Sequence, residues 1–176
     1  MGDVVYLNHA QKADEEEGDR MDADQFRTDV LRPPLKVVGG GFWSMQAESL
    51  LLGTAAMESL LKYVRQFKNG PALSLMQIEP ATYLDACRYL NQRQPQLRDR
   101  ILDACYLQAF PPPSALIWNM RLAALIARTI YWMVPEPLPD ANDLVGIANY
   151  YIKYYHKSTN STVSEFLDAW KYVHSK

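Results

Sequence analysis

The chain has 176 residues, 48% of them hydrophobic, which is enough to bury a core and argues against overall disorder. Its 20 acidic and 18 basic side chains leave a net charge of −2, so no global basic bias points to nucleic acid or an anionic membrane as the main partner. Two cysteines, Cys87 and Cys105, are too few for a disulfide scaffold and read as buried thiols of a protein assembled in a reducing cytoplasm.

In chain order, residues 1–22 form an acidic arm. "ADEEEGD" buries too little apolar surface to order itself, and only Val4, Val5, Tyr6 and Leu7 make a small apolar anchor. The start lacks the basic and apolar regions of a signal peptide, and Tyr6 stands where a myristoylation signal has Ser or Thr. Residues 23–43 are expected to connect, because Pro33-Pro34 and Gly39-Gly40-Gly41 in "RPPLKVVGGGFW" both break helices. Residues 44–176 then read as one helical domain. Ser44 caps a helix to about Gln66, with Glu48 in its early turns, and "FKNGPA" stops it. Gly70–Ile78 is a loop or short hairpin. Pro80 opens the next helix, to about Asn91, and another spans about Gln94–Ala109. "FPPPS" ends that one, and a long apolar helix starts at Ala115. Asp140 or Asn142 caps a helix through Tyr155, and Thr162 with Glu165 forms a capping box for the last. No strand pair or repeat is evident, so the fold class is all-α.

The run "ALIWNMRLAALIARTIYWMV" (Ala115–Val134) is long enough to span a bilayer, but it contains Arg121 and Arg128. Each costs a few kcal/mol near the bilayer centre, so the run is expected to be a core helix and the chain to have no membrane span.

"LLGTAAMESLLKYV" (Leu51–Val64) poses the central chemical question. It is apolar almost all round yet carries Glu58 in its middle. Helices of that kind are central, and an acid held there is desolvated, which favours its protonated form. Such a carboxyl group suits a general acid. The bland alternative is escape to solvent or an i+4 pair with Lys62.

The residues that follow sharpen the reading. Glu58-Ser59 at a helix end, Ser74-Leu75-Met76-Gln77 in a short loop and Pro80-Ala81-Thr82 opening the next helix together resemble the soluble lytic transglycosylases of lysozyme-like fold. The match covers about residues 50–90 and extends loosely to small phage-encoded lysozyme-like proteins. Asn119 and "ANYY" (Ala148–Tyr151) are similar to later family elements. The resemblance implies a lysozyme-like helical domain with Glu58 as the catalytic acid, and Ser59, Met76, Gln77 and Tyr150 along a sugar cleft. It implies a peptidoglycan glycan strand as substrate and no metal or cofactor. Protonated Glu58 would donate to the oxygen between N-acetylmuramic acid and N-acetylglucosamine. It would then draw the proton from the muramoyl 6-hydroxyl, closing a 1,6-anhydro ring. A two-carboxylate hydrolase needs a second acid, for which Glu79 is the nearby candidate, but that residue fits a helix-start role better.

Three features depart from the family pattern. Leu60-Leu61 stands where a small residue opens the turn, Ser74 replaces a glycine, and Glu79 replaces an apolar residue. These point to a narrowed entrance. They keep open a second function, a catalytically silent structural virion protein that uses the same fold for assembly. In either case the protein is expected in a virion, made in the host cytoplasm, with residues 1–22 contacting other virion subunits and no nucleic-acid partner.

The remaining patterns are weaker. His9, His156 and His174 show no metal-ligand spacing and support no Ser-His-Asp or Cys-His site. "GGGF" lacks the Lys-Ser/Thr partner of a phosphate loop. "ANYYIKYYHK" reads as an amphipathic helix with snorkelling tyrosines, although its rings can also stack on sugars.

Overall fold

The computed structural model describes residues 20–156 and 161–175. The N-terminal arm, apart from Arg20, Met21 and Asp22, lies outside them. The described residues form helices and turns with no regular strand, an all-α architecture.

The first helical run, α1, has three consecutive pieces: one α-turn at Ala23–Gln25, a π-helical segment at Phe26–Leu31 and an α segment at Arg32–Val38. This corrects the connector expected at 23–43. Prolines break helices by removing an N–H and crowding the carbonyl four residues back. Here Pro33 and Pro34 sit in the first turn of their segment, directly after the wider π turns. In those turns the Arg32 N–H bonds the Arg27 carbonyl, five residues back, so the break is absorbed. The chain turns instead at Gly39, Gly40 and Gly41, all with positive φ, a region cheap only for glycine. Phe26, Leu31, Leu35, Val38 and Phe42 are at most 2% exposed, so this segment is part of the core rather than a tether.

Helix α2, Met45–Ser59, is central. Ser44 caps it as the sequence predicts, its Oγ accepting from the Ala47 N–H at 3.1 Å. It packs against α1 and three later helices, and every residue from Ala47 to Met57 is buried. Burying a leucine contributes about 2 kcal/mol, and Leu50, Leu51 and Leu52 are all at most 1% exposed. Glu48 lies in the first turn, as the sequence predicts, but it is buried. Its side chain is 1% exposed and takes two hydrogen bonds from Arg32, at 2.7 and 2.9 Å, and one from the Trp43 indole at 2.6 Å. Burial pushes its carboxyl pKa up, but the Arg32 and Trp43 hydrogen bonds outweigh burial and hold it below the usual range.

The helix ends at Ser59, seven residues earlier than expected, because Leu60 and Leu61 both adopt left-handed conformations, with φ of 53° and 56°. Both side chains are buried, and that burial offsets the strain. A folded loop follows. Ser74 N–H bonds the Val64 carbonyl, Gln66 N–H bonds that of Ala72, and Leu73 and Ile78 exchange two bonds, at 3.0 and 2.8 Å.

Helices α3 (Pro80–Arg93) and α4 (Pro95–Ala104) come next, then a 3₁₀ turn at Pro113–Ile117 and α5 (Met120–Trp132). The apolar run thus becomes a turn plus a 13-residue helix, capped by Asn119 Oδ1 on the Leu122 N–H. None of the described helices is long and apolar enough to cross a membrane. Arg128 is buried in α5, where it donates to the Phe42 carbonyl at 3.0 Å and stacks on Phe42 and Trp132. Burial lowers its pKa to about 10, so it is cationic at neutral pH. Cys87 and Cys105 are buried free thiols, both pushed up to about 11 by burial.

Helix α6, Leu144–Tyr151, is capped by Asp143 rather than by Asp140 or Asn142, and runs on as a π-helical segment, Ile152–His156. The predicted Thr162–Glu165 capping box opens α7, Val163–His174. Helix α7 lies against α2, where Phe166 sits over Gly53. A Cβ there would fall 2.3 Å from the ring, so only glycine permits this approach.

Candidate functional site

Glu58 is the penultimate residue of α2, with a side chain only 8% exposed. Its Oε1 accepts a hydrogen bond from the Tyr151 hydroxyl at 2.7 Å, ninety-three residues away in sequence. The His156 Nδ1 lies 3.0 Å from the same Tyr151 oxygen and 3.5 Å from Glu58 Oε1, with its side chain 3% exposed. Among the described residues, Glu58 therefore meets a phenol and an imidazole.

The π segment creates this grouping. At 3.6 residues per turn, Tyr151 and Tyr155 share a face but His156 turns away. Wider π turns bring all three together. Tyr151 stacks on Tyr155 at 6.1 Å and lies 5.6 Å from the His156 ring. Tyr155 in turn donates to the Met76 carbonyl at 2.8 Å and stacks on Tyr131, whose hydroxyl pairs with Thr54 at 2.6 Å. Burial first, and then the Glu58 charge, raises the pKa of Tyr151 and Tyr155 well above the ordinary value, and burial does the same for Tyr131. All three stay neutral phenols, able to donate.

The residues predicted with Glu58 behave differently from one another. Ser59 is fully buried and turns its hydroxyl onto the Ala55 carbonyl of its own helix, which occupies its donor. The Met76 side chain is 1% exposed, and its backbone carbonyl is what reaches the tyrosine cluster. Gln77 adopts φ of 46° and donates both amide hydrogens to carbonyls, Ser74 at 2.7 Å and Tyr63 at 3.2 Å. It staples the loop to the segment after α2. Its side-chain oxygen accepts no hydrogen bond from a described residue, so it is the atom left to receive a hydroxyl or amide hydrogen. Ser74 occupies the left-handed position of the expected glycine, with φ of 69°, and its hydroxyl accepts from the Met76 N–H at 3.1 Å. That bond compensates for the missing glycine.

Tyr150 points elsewhere. Its hydroxyl bonds the Glu136 carbonyl at 2.9 Å and its ring packs on Tyr154. Tyr151, one residue on, is the tyrosine whose hydroxyl meets Glu58. Glu79 is exposed just before α3 and makes no capping bond. No cluster of three or more His, Cys, Asp or Glu side chains able to hold a metal occurs among the described residues.

His156 was missed because its spacing from Tyr151 fits no α-helical pattern. The signal present was an acid in an apolar helix facing a Tyr-rich segment that ends in His. No known protein family, curated protein or solved structure matches the chain.

Proposed function

We propose that this chain is a lysozyme-like, virion-associated protein of a phage that cleaves peptidoglycan as a lytic transglycosylase, with Glu58 as its one general acid and base. The observation that carries the reading is the setting of Glu58. It ends a buried central helix and is held by Tyr151, beside a loop whose Met76 carbonyl is tied to the same tyrosine cluster. A carboxyl group fixed on one oxygen and shielded from bulk water suits proton transfer to a glycosidic oxygen.

The proposed chemistry needs only that group. Protonated Glu58 donates to the oxygen linking N-acetylmuramic acid to N-acetylglucosamine as the C1–O bond breaks. The muramoyl 6-hydroxyl then attacks C1, and ionised Glu58 takes its proton, closing the 1,6-anhydro ring. Gln77, through its side-chain oxygen, is assigned to accept a hydrogen from the sugar. The arm at residues 1–22 is assigned to contacts with other virion subunits.

A second reading, a silent structural virion protein on the same fold, draws support from other observations. Ser59 and the amide hydrogens of Gln77 are spent internally, Leu60 and Leu61 are buried across the turn, and Glu58 is 8% exposed. The deciding experiment is digestion of purified peptidoglycan by the wild type and by Glu58→Gln, with product masses read. Cleavage to products lighter by one water than hydrolysis gives, abolished in Glu58→Gln while its folding is intact, supports the enzyme. Wall left intact by the wild type, at every pH between the carboxylate and histidine ranges, supports the structural protein.

A further inference from the structure

We infer that His156 is a positioning residue for Glu58, acting through the Tyr151 hydroxyl to fix which carboxyl oxygen handles the proton. The inference rests on the proposed acid role of Glu58.

The argument is a count of hydrogens. Tyr151 Oη lies between two polar atoms, Glu58 Oε1 at 2.7 Å and His156 Nδ1 at 3.0 Å. The phenol carries one hydrogen. The shorter contact, to a carboxylate, is the stronger bond and takes it. A lone pair of Oη then faces His156 Nδ1. Two bare acceptors at 3.0 Å repel, so Nδ1 carries a hydrogen and donates it to Oη. The direct separation from Nδ1 to Glu58 Oε1, 3.5 Å, is too long for a good hydrogen bond, so the histidine reaches the acid through the tyrosine.

The resulting chain has one direction: His156 Nδ1–H to Tyr151 Oη, and Tyr151 Oη–H to Glu58 Oε1. With its acceptor site filled by His156, the phenol hydrogen cannot swing away. Oε1 is pinned as an acceptor and is the wrong oxygen to carry the acid proton. Among the described residues no hydrogen bond reaches Oε2, so Oε2 is the oxygen that delivers the proton to the glycosidic bond and retrieves it. The side chains of His156 and Glu58 are 3% and 8% exposed, so water competes little for these bonds. The Ile152–His156 π segment is the backbone device that makes the chain possible, which accords with the frequent placement of π turns at functional sites.

Two measurements test this. The first reads the tautomer of His156 by long-range nitrogen–proton NMR of the histidine-labelled protein near pH 7.5. The expected result is a protonated Nδ1, lost as the dominant form in Tyr151→Phe. A bare Nδ1 with a protonated Nε2 in the wild type overturns the inference. The second compares His156→Asn, whose side-chain amide places an N–H where Nδ1 stood, with His156→Leu, which has none. On peptidoglycan, kcat should fall about tenfold in His156→Leu with KM little changed, and His156→Asn should restore most of it. Equal losses in both variants, with both folded, overturn the positioning role. A wild type that leaves the wall intact while showing a protonated Nδ1 removes the catalytic role together with the proposed function. A bare Nδ1 in an active wild type removes this inference alone.

Discussion

Replacing Arg32 by Leu tests whether residues 23–43 are integral to the domain. Glu48 is 1% exposed and loses two charge-assisted hydrogen bonds, at 2.7 and 2.9 Å, keeping only the Trp43 indole. Removing one partner of a buried ion pair costs about 3–5 kcal/mol. Arg32 is 37% exposed, so water screens the pair, and the expected loss in Arg32→Leu drops to about 2–3 kcal/mol. For a domain of this size that lowers Tm by roughly 5–10 °C. The sign of the pH dependence follows from Glu48. In the wild type its folded pKa is depressed, so its contribution is present above the ordinary carboxylate range and lost as pH falls through the lowered value. Without Arg32, burial, the largest single influence, is opposed only by the Trp43 hydrogen bond and the Arg27 charge, and the folded pKa rises. The variant then loses stability as pH climbs through that raised value, and its deficit grows from acid toward neutral pH. Urea titrations at several pH values, with m compared to check for a single transition, measure this. Adding Glu48→Gln keeps an acceptor for Trp43 without the charge and should recover more than half of the loss. A deficit below about 0.5 kcal/mol, or a double variant as unstable as the single one, would refute the reasoning.

Gly53→Ala puts a methyl 2.3 Å from the Phe166 ring and should destabilise by about 1–3 kcal/mol, with Phe166→Leu in the same chain returning part of it, as read by thermal melting. Alkaline unfolding should be steep. Tyr83, Tyr131, Tyr151 and Tyr155 have folded pKa values raised by burial, so their contribution is full below the unfolded value near 10 and lost as pH rises beyond it. Arg128, lowered to about 10, acts in the opposite sense and offsets one of them. These five groups together give a slope of about 4 kcal/mol per pH unit, and Cys87 and Cys105, both raised to about 11 by burial, steepen the loss below that pH. The share of tyrosinate absorbance that belongs to these four buried phenols should therefore appear only with the loss of helical circular dichroism, apart from the signal of exposed rings such as Tyr106, and ionisation of all the tyrosines in a still-folded protein would contradict the assignment.

Much of the helical plan was legible because capping is local chemistry. Ser44, the Pro80 start and the Thr162–Glu165 box all act within one turn of themselves. The short loop before Pro80 was legible from its glycine and prolines. What failed depended on partners distant in sequence. Pro33-Pro34 reads as a break unless the preceding turns are π-helical, and a 3.6-residue wheel cannot reveal that. Leu60 and Leu61 have no left-handed preference and adopt that form because the core accepts their side chains. Glu48 looked like a helix-dipole acid because Arg32 lies sixteen residues earlier. At the candidate site, the exceptional position of Glu58 was visible as one acid in an apolar helix. Its partners were not. Tyr150 and Tyr151 are chemically identical in the sequence, and only the rotation of α6 decides which of them turns toward α2.

The contact between Glu58 and Tyr151 spans 93 residues, and that separation sets when it can form. Closing a loop of that length costs about 4 kcal/mol of chain entropy, far more than one hydrogen bond returns. The contact cannot nucleate folding and must wait until α2, α5 and α6 have packed. During synthesis the carboxylate leaves the ribosome long before its phenol, and at about 5–20 residues per second that interval is several seconds or more. The acid is thus incomplete throughout elongation and acquires its hydrogen-bonding partner only as a late event of tertiary assembly.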